Sequence, residues 1–230
     1  MMIANFDWQP LVLSAQLAAI TSCILLVMGI PMAYFLAFTR RRSKPIFEAL
    51  LSMPLVLPPS VLGFYLLLAF SPQSFLGQGL LAYFDVRLIF SFAGIVVGSV
   101  IFSLPFMVQP LQAGFQALPF SLVEAAQTLG LSPFQTLVRV LLPNMRASLL
   151  TGVVLSFAHT VGEFGVVLMI GGNIPGVSKV ASIAIYDEVE SLNYAAAHNY
   201  AAVLVLLSFA VLLLVYFVRQ RYPEKAANSC

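Results

Sequence analysis

Four stretches of this chain carry no charged residue over a great length: Trp8–Thr39, Ala49–Phe84, Leu88–Val123 and Ser191–Val218. Each exceeds the roughly 20 residues that a helix needs to cross a bilayer. In hydrocarbon a backbone must satisfy its own hydrogen bonds, so such runs fold as helices. Charged residues make up only 9% of the chain and apolar ones 60%, too few charges to coat a soluble domain of 230 residues. The expected fold is therefore all-α, a polytopic membrane helix bundle.

The basic residues set its orientation. Arg40, Arg41, Arg42 and Lys44 form one cluster, Arg139 and Arg146 a second, and Arg219, Arg221 and Lys225 a third; only Arg87 and Lys179 lie elsewhere. Under the positive-inside rule all three clusters face the cytoplasm. Five spans satisfy this, at about 9–38, 47–71, 91–109, 147–170 and 195–218, in one transmembrane domain covering 9–217. The N-terminus is then outside and the C-terminus inside. Trp8 suits an interfacial anchor at the outer end of the first span. The N-terminal MMIANFDWQP has no basic region and its apolar run is long for a signal peptide, so the first span is expected to stay in the protein. Cys23 and Cys230 make no disulfide framework. An arginine run beside a span is a topology anchor, not a nucleic-acid surface.

Polar and helix-breaking residues within the spans mark candidate sites. Pro54, Pro58 and Pro59 remove backbone donors at membrane depth, and Ser60 follows them. Irregular backbone there is tolerated only when buried in protein or lining a cavity. A kinked packing helix and a pathway or gate wall both fit, and the proline density favours the wall. In the third span Gly94, Gly98 and Ser99 suit close helix packing, with Pro105 and Pro110 at its inner end. The fourth span holds Ser156, His159, Thr160 and Glu163. His159 and Glu163 stand one helical turn apart, so a structural pair or buried hydrogen bond is expected, with Ser156 and Thr160 joining the pathway candidates. An ionised Glu163 would repel an anion. Outside the spans, 72–87 reads as an external loop with a short interfacial helix. Gly171–Gly176 reads as a turn, and 178–194 as an external helical segment bearing Asp187, Glu188 and Glu190.

The longest polar-punctuated stretch is Pro119–Pro143, PFSLVEAAQTLGLSPFQTLVRVLLP. Ser121 and Glu124 have capping-box spacing. Gly130 falls where a helix ends in the left-handed region, and Ser132-Pro133 restarts a helix as cap and first residue. The segment reads as helix, glycine turn, helix. Its pattern of Glu124, Ala125 and Ala126, then Gly130, then Val140, Leu142 and Pro143 resembles the EAA loop of ABC-importer permeases. Val140 stands where that family has isoleucine. Three further stretches, Met53–Leu68, Phe90–Phe115 and His159–Gly176, resemble the molybdate branch of these permeases. Sulfate/thiosulfate and tungstate permeases share the Gly162–Gly165 and Asn173–Gly176 character.

The resemblance implies a type I importer transmembrane domain that works as a homodimer in the inner membrane. Two copies of a separate ABC ATPase would carry the ATP and magnesium. A periplasmic molybdate-binding protein would select the anion and dock on 72–87 and 171–194. Glu124, Ala125, Ala126, Gly130, Val140, Leu142 and Pro143 would couple the ATPase to the spans. No phosphate-binding loop, nucleophile elbow or metal-ligand spacing occurs in the chain, so neither cofactor nor metal is expected on it, and an integral-membrane enzyme is disfavoured. A self-sufficient ion-coupled permease would show repeated halves and several broken, charged helices.

Overall fold

The computed structural model describes residues 6–221, and every regular element among them is helical. Met1–Asn5, Lys225 and Cys230 fall outside the described residues. In order the elements are α1 (Gln9–Phe38), α2 (Lys44–Val56), α3 (Pro59–Phe70), α4 (Phe75–Phe84) and α5 (Phe92–Ala117). Next come α6 (Ser121–Thr128), α7 (Pro133–Thr136), a π-helical turn (Leu137–Leu141) and α8 (Leu142–Asn144). The chain closes with α9 (Arg146–Val161), α10 (Gly165–Gly171), α11 (Ala181–Glu190) and α12 (Tyr194–Arg221). Three helices, α1, α5 and α12, are long and apolar enough to cross a membrane, and the number rises to five if two bent pairs count as one crossing each.

The core is α1, α5 and α9 side by side. Leu13 and Leu17 near the start of α1 meet Ile95 and Val96 near the start of α5. At the other end Tyr34 and Phe38 lie against Phe115, with ring centroids 5.6 and 6.1 Å apart. Hence α1 and α5 run parallel, and both end beside the Arg40–Arg42 cluster. In α9 the direction reverses: a Cβ on Gly114, late in α5, would stand 2.6 Å from Ser148, early in α9. Inside a bilayer there is no water to drive helices together, so close contact over small residues does that work. Gly29 shows it, since a Cβ there would stand 2.8 Å from Cγ of Met107. α12 lies at the periphery, with Val205, Leu206, Phe209 and Leu214 exposed, as a lipid-facing helix requires.

Three of the expected spans differ in detail. The second is not one helix. Leu57 and Pro58 are extended, and α2 and α3 meet at 110°. Pro58 and Pro59 lack the N–H groups that would continue α2, whereas Pro59 is well placed as the first residue of α3. The third runs on to Ala117 rather than stopping near Gln109, because both Pro105 and Pro110 are absorbed inside α5. Each costs one backbone bond, and the neighbouring turns and buried packing hold the helix. The fourth is broken at Gly162–Phe164 into α9 and α10, so residues 147–170 do not form a continuous helix.

At the end away from the arginine cluster, the expected short helix is present as α4, capped by Ser74, whose Oγ accepts from Gly77 N at 2.9 Å. The Gly171–Gly176 turn uses positive φ at Gly172 and Gly176. Asn173 Nδ2 donates to Asp187 at 2.8 Å, and Lys179 Nζ stands 2.6 Å from the same carboxylate, which pins the turn to α11. Tyr200 Oη donates to the Asp7 carbonyl at 2.8 Å, so α12 starts beside the start of α1.

Candidate functional site

The two helix breaks face each other. Pro59 and Ser60, at the start of α3, and His159, Gly162, Glu163 and Gly165, around the α9–α10 break, line one open cleft of about 670 Å³. Phe102 of α5 closes its back wall. The approach is set by glycine. A Cβ on Gly165 would stand 2.9 Å from Cβ of Pro59, and one on Gly63 would stand 2.8 Å from Cβ of Met169. α3 and α10 therefore pack as a closely fitted pair, bounded at one end by both breaks. Such non-helical backbone in a span is sustainable because it borders a cavity.

His159 and Glu163 do not form the pair that their spacing predicts. The helix ends at Gly162, which takes Glu163 out of the one-turn register with His159. His159 is drawn to α5 instead: its Nδ1 is 2.9 Å from Ser103 Oγ, and its ring stacks on Phe106 with centroids 3.9 Å apart. Ser103 Oγ is also 3.0 Å from Thr160 Oγ1, which donates its own proton to the Ser156 carbonyl at 2.8 Å. Proton counting then orders the chain. Ser103 must donate to Thr160, and the imidazole must donate from Nδ1 to Ser103. Glu163 is 3% exposed, and among the described residues neither carboxylate oxygen has a hydrogen-bond partner. Its backbone is held, since Ser182 Oγ of α11 donates to the Glu163 carbonyl at 2.6 Å.

Of the pathway candidates, Pro59 and Ser60 line the cleft. Pro54 is buried within α2, and Pro58 sits exposed at the bend. Ser156 and Thr160 are buried at 0% and 2% exposure on the α5 side, behind the cleft and not among its lining. Sequence reasoning missed Ser103 and Phe106. The signal was present: Ser103 follows Ser99 by one helical turn, and a small polar row on a span is a place to look for a buried partner.

The second region is the loop at the arginine-cluster end. Ser121 does not cap α6, because Phe120 is already helical and the first turn starts from Pro119, whose carbonyl accepts from Leu122 N. The box forms instead at Ser132: its Oγ accepts from Gln135 N at 3.3 Å, and Gln135 Oε1 accepts from Ser132 N at 3.0 Å. Gly130 has φ +74°. Gly130 N bonds Gln127 O and Leu131 N bonds Ala126 O, the paired bonds of a Schellman stop. Glu124, Ala125 and Gly130 are exposed, whereas Ala126 is buried against the loop itself at 3%. Exposed apolar side chains of the loop include Phe120, Leu129 and Phe134, at 61%, 78% and 73%. Val140 closes the π-helical turn with Leu141, and Leu142 and Pro143 begin α8, all partly or fully buried. Pro143 cannot bond the carbonyl four residues back, and the wider π turn accommodates that.

A helical membrane bundle with two facing breaks around a cleft, and a compact helix–turn–helix projecting at its basic end, is the membrane part of a transporter. The chain belongs to the family of binding-protein-dependent transport system inner membrane components, whose model matches residues 26–225. It is 47% identical over 221 residues to the molybdenum transport system permease protein ModB of Azotobacter vinelandii, covering 96% of this chain and 97% of that protein. It is 35% identical over 202 residues to the sulfate transport system permease protein CysT of Salmonella typhimurium, covering 88% of this chain and 73% of that one. The fold also matches the solved inward-facing MetNI methionine ABC transporter, with a TM-score of 0.71, 16% identity and coverage of 94% and 95%.

Proposed function

We propose that this chain is the permease of an ATP-driven importer of molybdate. The reading is carried by the 47% identity, over nearly the full length of both chains, to a molybdenum transport permease. It acts as a homodimer in the inner membrane, with the N-terminus periplasmic and the C-terminus cytoplasmic. That orientation is supported by the arginine cluster and the 119–143 loop lying at one end of the bundle. Two copies of a separate ATPase carry ATP and magnesium. They engage the exposed Glu124, Ala125 and Gly130 and the apolar Phe120, Leu129 and Phe134. The buried Ala126 and the half-buried Val140, Leu142 and Pro143 give the loop its shape. A periplasmic binding protein docks at the far end, on 72–87 and 171–194, and supplies the anion.

The cleft between the two breaks is read as one wall of the path, with Pro59, Ser60 and His159 facing it. A weak, largely uncharged wall suits this task, because an anion held tightly would leave slowly. The sulfate reading is the second one, favoured by the 35% identity to a sulfate permease. Competitive uptake decides between them: molybdate import that excess sulfate does not suppress supports the first, and sulfate import that molybdate does not suppress supports the second.

A further inference from the structure

We propose that two side-chain hydrogen bonds between α2 and α5 form a latch that carries movement of the 119–143 loop to the cleft, with Glu48, Ser52, Gln109 and Gln112 as positioning residues. The proposal rests on the coupling role assigned to that loop. Gln112 Nε2 donates to Glu48 Oε1 at 2.7 Å, and Gln109 Nε2 donates to Ser52 Oγ at 3.1 Å. The partners are four residues apart on α2 and three apart on α5. Both spacings repeat one helix face, so the bonds are successive rungs between two facing stripes. Lys44 Nζ lies 3.7 Å from the same Glu48 oxygen.

These rungs matter because apolar contact fastens α2 mainly through Leu51 in the core and the edge-on rings of Phe47 and Phe35. Only Leu51 and Pro54 of its 13 residues are buried. Beside it an apolar cavity of about 260 Å³ opens between Met32 and Phe35 of α1, Phe47 and Leu50 of α2, and Leu104 of α5. Among the described residues, no other side-chain-to-side-chain hydrogen bond joins α2 to another helix. A carboxamide donating to a carboxylate is charge-assisted and stronger than a bond between two neutral groups; the Gln112–Glu48 rung is part-buried and the Gln109–Ser52 rung exposed.

The connections on either side of the latch give it direction. α5 ends at Ala117 and enters α6 of the loop after three residues. α2 ends at Val56 and, across the 110° bend, becomes α3, whose first residues Pro59 and Ser60 line the cleft. A push on the loop displaces the end of α5. The two rungs oblige α2 to follow, and the bend converts that shift into motion of the α3–α10 pair. Without the rungs α2 slides over the apolar gap and the push is lost.

The test uses the complete complex, reconstituted with its ATPase and binding protein, and counts anions imported per ATP hydrolysed with molybdate and sulfate as probes. Glu48→Leu and Gln112→Leu are expected to lower that ratio by about tenfold or more, the scale of one lost hydrogen bond to a charged group, with ATP hydrolysis itself sustained. Glu48→Gln keeps an acceptor oxygen for Gln112 and is expected to keep the ratio. A short bifunctional thiol linker between Ser52→Cys and Gln109→Cys, with Cys23 and Cys230 replaced by serine, should restore the ratio in the Gln112→Leu background. An unchanged ratio in both leucine variants overturns the latch, and so does a linker that stops import. If the wild-type complex hydrolyses ATP but imports neither anion, the proposed function falls and the latch falls with it. Wild-type import beside unaffected variants removes the latch alone.

Discussion

At Gly130 a single backbone angle decides what the residue can be. Its φ is +74°, yet a Cβ there would meet nothing within 4 Å, so any penalty is conformational and not steric. A residue with a Cβ pays about 1–2 kcal/mol in that region, a β-branched one more, and asparagine least. Gly130→Val is expected to insert and assemble but to import poorly, and Gly130→Asn to stay close to wild type; uptake by assembled complexes distinguishes the two. The glycine turn was legible in the sequence because its cause is local. The neighbouring expectation at Ser121 failed for an equally local reason: the chain is already helical at Phe120, so the serine sits inside the first turn. His159 shows where local reading stops. Its partner Ser103 is 56 residues away in sequence, so spacing could mark Ser103 as a polar row with Ser99 but could not pair it with His159. Ser103→Ala should cost about 1–3 kcal/mol, since it strips a partner from both the imidazole and Thr160. Ser156→Ala, whose hydroxyl has no partner among the described residues, should be nearly neutral. Thermal unfolding of the purified chain in detergent compares them.

Among the elements, the paired breaks define what can move. The proline bend between α2 and α3 was readable from Pro58 and Pro59, although not its 110° angle, which depends on what α3 packs against. The break at Gly162–Phe164 went unread because a glycine inside an apolar run is often absorbed, as Gly98 is within α5. Pro105 and Pro110 mislead in the opposite sense: proline weakens a helix by one bond, but a buried and flanked helix carries on. The fit between α3 and α10 gives a prediction at this scale. Gly165→Val places its Cβ 2.9 Å from Cβ of Pro59 and must push the two helices apart, whereas Gly162→Ala finds its nearest contacts at 3.8 Å. Import should collapse in the first and persist in the second. Thiol labelling of Ser60→Cys, which lies on the cleft, should rise in the Gly165→Val background.

For the whole molecule, the charge pattern and the topology agree. The arginine cluster after α1 and the loop after α5 share one end because α1 and α5 run parallel, and that placement was legible from charge alone. Among the described residues three helices are long and apolar enough to cross a membrane unbroken, and the cleft between the two helix breaks is open on one side. Association into a homodimer is the expected outcome, with two clefts facing one axis. Mass measurement of the membrane complex should give two copies of this chain with two ATPase subunits. The most direct test of the whole account is ATP-driven anion uptake into proteoliposomes holding this chain, its ATPase and its binding protein. Molybdate should accumulate in a manner that requires ATP and the binding protein and survives excess sulfate. Accumulation without ATP, or none from an assembled and hydrolysing complex, would contradict it.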